Sequence, residues 1–252
     1  MSLISDYLSK NLTSLTKEQL SGAKKIITGC FNNYTSLRSI GIPYSVKKIC
    51  INAFEGCLNL TEIDSSSMDP FCWLPVNLDI DNPIMATGWY SNAPVNSMIT
   101  LANGQILVGN KITTPGSGFV IPNTVKNIAG GACKRYGSAV DSSFTNVIIP
   151  DTVEIVGDEI FYNQTALTKI TVGSSVKKIL GLISPGTSMK NMIFRQPAGM
   201  VVELPTPGSE NGMAYNKSAY SMNIYTDNEY IKNYGWSTDN VTATFYSLSS
   251  AP

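Results

Sequence analysis

The stretch Ile42-Pro43-Tyr44-Ser45-Val46-Lys47-Lys48-Ile49-Cys50-Ile51-Asn52-Ala53-Phe54-Glu55-Gly56-Cys57-Leu58-Asn59-Leu60-Thr61-Glu62-Ile63 decides the fold, because its apolar positions recur along the chain at a fixed spacing. Phe31 to Phe54, Leu37 to Leu60 and Ile40 to Ile63 are each 23 residues apart. The first half returns as Ile121-Pro122 with Val125 and Ile128, as Ile149-Pro150 with Val153 and Val156, and as Val172-Gly173 with Val176 and Ile179. Phe161, Leu167 and Ile170 fill the slots of Phe54, Leu60 and Ile63. One longer step between copies places its extra residues within Lys134 to Ser143, a polar stretch that suits a surface loop. A fixed period of this length is the mark of a solenoid, in which each coil buries its apolar face only against its neighbours.

The physics of one coil follows from the pattern. Leu-x-x-Ile-x-Ile lays a short strand beside the same strand of the next coil, with alternate side chains inward. Pro43, Pro122 and Pro150 follow that strand, where a residue without an N–H ends ladder pairing and turns the chain. Val and Ile of the second half re-enter the core, and Ala-Phe packs on the opposite wall. Lys47, Lys48, Lys126, Lys177 and Lys178 lie between the apolar positions and are expected to face solvent.

These motifs resemble the BspA-like leucine-rich repeats over residues 26 to 63 and 119 to 180. The run from Ile224 to Trp236 is similar to the strand-plus-helix ending of many members. The resemblance implies a binding scaffold. Its members occur on bacterial surfaces, in some protists and among phage structural proteins, and are associated with adhesion and protein binding. The expected fold is a β-rich solenoid with a helical N-terminal segment (1–25), repeats (26–65), degenerate repeats with a β-hairpin excursion (66–118), repeats again (119–182) and a C-terminal strand and helix cap (183–252).

Composition narrows the function. Eighteen Lys plus Arg balance eighteen Asp plus Glu, so no long-range field draws the chain to nucleic acid or an anionic bilayer. No apolar stretch is long enough to span a membrane. The first ten residues lack a basic n-region, a sustained apolar core and a small-residue cleavage site, so they are not read as a signal peptide. The chain has no histidine, the side chain most used for proton transfer at neutral pH and for metal binding. Nucleotide-binding, hydrolase and zinc-protease motifs are absent, and no cofactor or metal is expected. Cys30, Cys50, Cys57, Cys72 and Cys133 form no metal-binding spacing and read as free, buried thiols. Six Asn-x-Ser/Thr triplets, at Asn11, Asn33, Asn59, Asn163, Asn216 and Asn240, are treated as repeat chemistry.

The departures from the period hold the candidate contacts. Trp73, Trp89 and Tyr90 either seal the core where the repeat fails or form a ligand-contact patch. Asp79, Asp81 and Asn82 offer oxygen ligands of the kind a calcium ion takes, but Asp and Asn before proline are also ordinary turn formers. The run from Ile99 through Asn103-Gly104 to Val108 predicts a hairpin, and Gly109-Asn110 reads as a second turn. Leu3, Ile4, Tyr7 and Leu8 follow helical spacing, and Thr16 with Gln19 is a capping-box candidate for a second helix. Those helices either cap the first coil or carry self-association or anchoring. Near the C-terminus, Asp227 is expected to open a helix holding Tyr230, Ile231 and Tyr234, with Val241 to Tyr246 as a last strand.

The reading that follows is a non-enzymatic virion surface protein (a capsid decoration, head fibre or tail receptor-binding component) displaying the solenoid to a protein or surface glycan of a bacterial host. Other virion proteins would meet its N-terminus, and a homo-oligomer is allowed. A bacterial cell-surface adhesin and an intracellular protein scaffold are the alternatives.

Overall fold

A computed structural model describes residues 11–76, 82–112, 119–134, 144–181, 183, 188–207, 212–213, 219–236 and 240–252. The repeat forms coils, each of which lays one rung on either of two walls. On the first wall β1 (Ser14–Leu15), β3 (Ser39–Gly41) and β5 (Glu62–Asp64) run parallel, with Leu15 opposite Ile40 and Ile40 opposite Ile63. On the second wall β2 (Lys25–Ile26) pairs with β4 (Lys48–Ile49), and Trp73 continues the ladder by bridging to Lys48.

An irregular segment follows: a single turn of helix, α1 (Gly88–Ser91), then the antiparallel hairpin β6 (Met98–Leu101) and β7 (Ile106–Asn110). The array then resumes. Its second wall is β8 (Asn127–Ile128), β10 (Ile155–Val156) and β12 (Lys178–Ile179), joined at one end to β7. Its first wall is a parallel sheet of β9 (Asn146–Ile149), β11 (Lys169–Val172), β13 (Asn191–Phe194), β14 (Tyr220–Tyr225) and β15 (Val241–Tyr246). The helical turn α2 (Glu229–Lys232) lies between the last two strands.

Equivalent residues make equivalent turns. The N–H of Val46, Val125 and Val153 donates to the carbonyl of Pro43, Pro122 and Pro150 at 3.0–3.1 Å. Gly173 takes the proline slot in the next coil, where a Cβ would stand 2.4 Å from the Pro150 carbonyl oxygen. Two residues before the phenylalanine slot the backbone is left-handed in every described copy, at Gly29, Asn52, Gly131 and Glu159. Glycine and asparagine accept that conformation at little cost. Glu159 does not, and it is held there with its carboxylate 3.2 Å from Lys134 Nζ, both side chains buried.

The core is divided in two. Phe31 and Phe54 stack at 5.4 Å in the N-terminal cluster, and Phe161 receives the edges of Phe119 and Phe144 in the C-terminal one. The hairpin is the partition. Ile106 and Val108 of β7 pack in the first cluster and Leu107 in the second, because successive side chains of a strand point to opposite faces. The amide of Asn82, buried beneath, donates to the carbonyls of Val108 and Gly130 at 2.9 Å each and ties the hairpin to the resumed array.

Three local expectations are corrected. Gly109-Asn110 is not a turn but the end of β7, paired with Met98 and Ile99, and glycine is needed there because a Cβ would strike the Tyr90 ring at 2.2 Å. Thr16 and Gln19 do make the reciprocal capping bonds, Thr16 N–H to Gln19 Oε1 at 2.8 Å and Gln19 N–H to Thr16 Oγ at 3.4 Å. They close a turn between β1 and β2 instead of a helix, so coils extend N-terminal of the boundary placed at residue 25. The helix α2 is capped by Asn228, whose Oδ1 accepts from Ile231 N–H at 3.1 Å. Asp227 instead accepts from Ser247 Oγ and Leu248 N–H. The hairpin, Val241–Tyr246 as last strand and the unpaired state of all five cysteines agree with the sequence reading.

Candidate binding surface

The register of the C-terminal sheet sets side chains from successive coils in outward rows. One row is polar: Asn146, Lys169, Asn191, Asn223 and Thr244. The adjacent row is Ile148, Thr171, Ile193, Tyr225 and Tyr246. The slot between two inward residues is where the repeat calls for a polar side chain, yet Ile148 stands there 56% exposed, and Tyr225 and Tyr246 stack at 5.1 Å. The chain after β15 turns back through a short 3-10 turn, Leu248–Ser250. It brings Leu248, Ala251 and Pro252 to a concavity of about 700 Å³ shared with Ile148, Thr171, Ile193, Lys169 and Arg195.

Charge on this surface is not drawn into close ion pairs among the described residues. Neither Lys169 nor Arg195 meets a carboxylate among the described residues. Asp151 also lines the concavity and accepts from the Ser174 N–H at 2.6 Å. A concave face with an exposed apolar side chain and two cations that meet no carboxylate among the described residues suits a partner with apolar and acidic or hydroxyl groups.

The second wall offers a smaller groove of about 240 Å³. Trp73, 44% exposed, and Phe71 border it with Ile155 and Leu180. Lys48 Nζ lies 3.5 Å from the Trp73 ring centroid, so one ring face is occupied by a cation. Trp89 and Tyr90 are elsewhere, together on α1. That turn is capped by Thr87 Oγ, which accepts from Tyr90 N–H, and Trp89 N–H donates to the Leu60 carbonyl. Both rings are half-buried against the N-terminal cluster, Tyr90 over Gly109. The structure therefore joins Trp89 to Tyr90 but leaves Trp73 apart from them. Leu3, Ile4, Tyr7, Leu8, Asp79 and Asp81 lie outside the described residues.

The surface residues the sequence reading passed over are Ile148, Lys169, Arg195, Tyr225 and Tyr246. One signal was present: Val147-Ile148-Ile149 is three apolar residues in a row where a half-buried strand alternates.

Chemistry of turnover finds little footing. No cluster of three or more His, Cys, Asp or Glu side chains gathers among the described residues. Burial pushes the Cys57 thiol up to about 11 and Cys72 to about 12, and it raises Cys133 as well. Such thiols stay protonated near neutral pH and are poor nucleophiles. Among the described residues no helix is long and apolar enough to cross a membrane.

Stacked coils of about 23 residues with parallel rungs on two walls define a leucine-rich repeat solenoid. The model of the BspA type leucine rich repeat region matches in six copies, over residues 2–69 and 139–197, and the chain belongs to that family. Comparison with curated proteins returned no match. Among solved structures, a leucine rich cell surface protein from Faecalibacterium prausnitzii is 18% identical, with a TM-score of 0.42, 96% of this chain and 64% of that one being covered. A T. pallidum leucine rich repeat protein is 17% identical over 77% of this chain and 82% of its own, with a TM-score of 0.33. The pneumococcal vaccine antigen PcpA is 12% identical over 92% and 79%, with a TM-score of 0.30. The chain thus spans less than two thirds of the first of these proteins.

Proposed function

We propose that the protein is a non-enzymatic adhesin-type scaffold which binds a protein or surface glycan on the outward face of the C-terminal sheet, at a bacterial cell surface. The observation that carries this reading is the pair of cations, Lys169 and Arg195, with no carboxylate partner among the described residues, beside exposed Ile148 on one concave face. Charges left unpaired and apolar groups left in water gain from a partner that desolvates both. Membership of the BspA-type family supports a surface location. The virion expectation draws no support from the family match, and attachment through the N-terminal segment rests on the sequence pattern of Leu3, Ile4, Tyr7 and Leu8 alone. Trp73 in its groove is a secondary contact, since its exposed ring is a platform for stacking.

The test is adhesion of labelled protein to bacterial and epithelial cells, each left intact, protease-treated or periodate-treated. Saturable binding that protease abolishes identifies a protein ligand, and binding that periodate abolishes identifies a glycan. Absence of saturable binding to every cell type contradicts the adhesin reading.

A further inference from the structure

Among the described residues β15 is the outermost strand of the C-terminal sheet. β15 is bonded to β14 on one side only, and among the described residues nothing pairs with its other edge. The carbonyls of Asn240 and Tyr246 accept from Tyr220 and Thr226 N–H, which fixes the parallel register: Thr242, Thr244 and Tyr246 turn their N–H groups to β14. Val241, Ala243 and Phe245 therefore turn theirs, with their carbonyls, to the free edge.

That edge has none of the usual protections. Native sheets blunt an edge with charge, proline, a bulge or a covering segment. From Asn240 to Tyr246 there is no charged residue and no proline, the ladder to β14 is regular through all six residues, and the following residues line the sheet face. Phe245 belongs to the inward row, opposite Ile224, yet it is 40% exposed, with no further strand beside it among the described residues.

We infer that β15 is a self-association edge, paired antiparallel with β15 of a second copy of this chain about a two-fold axis through Ala243. The occupant is argued from self-complementarity. A two-fold axis normal to the sheet keeps the inward rows of both copies on one side. Centred on Ala243, it sets every free N–H and carbonyl of Val241, Ala243 and Phe245 opposite its partner in the hydrogen-bonded positions of an antiparallel ladder. Phe245, 40% exposed, then lies in the seam beside the position of the buried Val241 of the second copy, and a neutral edge offers its own copy no repulsion. The two C-terminal sheets become one, with both concave faces on the same side.

Two substitutions test this without touching the chain's own ladder. Ala243→Pro removes an N–H that only the free edge uses, a position where proline is tolerated in an edge strand. Phe245→Lys replaces the ring that would lie in the seam with a charged side chain of the kind that protects native edges from pairing. Sedimentation velocity of the full chain over a range of concentrations is expected to show a reversible dimer, and both variants are expected to sediment as monomers with unchanged circular dichroism and melting. Should Ala243→Pro unfold, Phe245→Lys decides alone. A full chain that is monomeric throughout leaves the edge to a foreign strand and overturns the inference. So does a dimer that survives in the folded variants, since association then runs through another surface.

Discussion

The two blocks of coils share one architecture and differ on their outward faces. In the N-terminal block the outward positions are Ser14, Ser39 and Glu62 in one row and Gly41 and Asp64 in the next. Ser14, Ser39 and Asp64 find partners on this face. Ser39 Oγ donates to Ser14 Oγ at 2.8 Å. Lys17 reaches Asp64 at 2.6 Å and Ser66 at 2.8 Å, and its stem lies across Gly41, where a Cβ would meet Lys17 Cγ at 2.8 Å. Lys17 and Ser66 together hold the Asp64 carboxyl down to about 2. The C-terminal block sets Ile148, Lys169 and Arg195 on the corresponding face, and neither cation meets a carboxylate among the described residues. The lesson is that the inward residues of a solenoid specify the coil, while the outward ones are free to be either sealed or sticky.

Because the inward residues are equivalent, the largest effects should be the same in both blocks. Phe54→Ala and Phe161→Ala each remove a fully buried ring and are expected to cost about 3–5 kcal/mol in denaturant unfolding. A large cost in one block and none in the other would break the equivalence of rungs. Next comes the spacing between coils. Gly157→Ala would push a Cβ to 2.5 Å from the Gly130 nitrogen of the coil beneath and should cost about 1–3 kcal/mol. Gly199→Ala, with nothing within 4 Å, should stay within about 0.5 kcal/mol.

Smaller effects sharpen the comparison through pH. The thiols of Cys57 and Cys72 in the N-terminal cluster have folded values raised above the ordinary 9.0, to about 11 and about 12. The unfolded chain therefore releases these protons first, and stability should be intact below pH 9 and fall as pH rises from 9 through 11–12. Cys72→Ala should flatten that alkaline fall, as read from melting temperature against pH; an unchanged slope would remove the thiol from the explanation. Smallest is Asp64→Asn. The folded value lies below the ordinary 3.8, so the contribution of Asp64 is present above that pH and is lost as pH falls toward 2. Its side chain is 60% exposed, and solvent screening should hold the cost under about 1 kcal/mol.

The coils were legible in the sequence because a solenoid gives each copy the same surroundings, so Phe31, Phe54 and Phe161 announce one slot. The hairpin was legible because Asn103-Gly104 is a local signal; Ala102, Asn103 and Gly104 all take the left-handed conformation there. Gly109 was misread because its need arises from Tyr90, a contact no local rule contains. Thr16 and Gln19 were misread for the opposite reason: the capping bonds form, but Lys25–Ile26 must reach its rung beside Lys48–Ile49, and the chain has no length left for a helix. The candidate surface was hidden because whether a lysine is paired depends on the neighbouring coil. Lys17 finds Asp64 and Lys178 finds Glu203, while Lys169 finds no carboxylate among the described residues, and nothing within one repeat distinguishes them.

The difference between the faces is tested most directly by cell adhesion of two matched double variants. Ile148→Asp with Arg195→Glu alters exposed residues of the C-terminal face; Glu62→Lys with Asp64→Lys alters the N-terminal face. The first pair is expected to weaken binding at least about tenfold, equivalent to about 1.4 kcal/mol, with melting unchanged, and the second to leave binding as it was. Equal losses in both, or a loss confined to the N-terminal pair, would contradict the assignment of the binding surface.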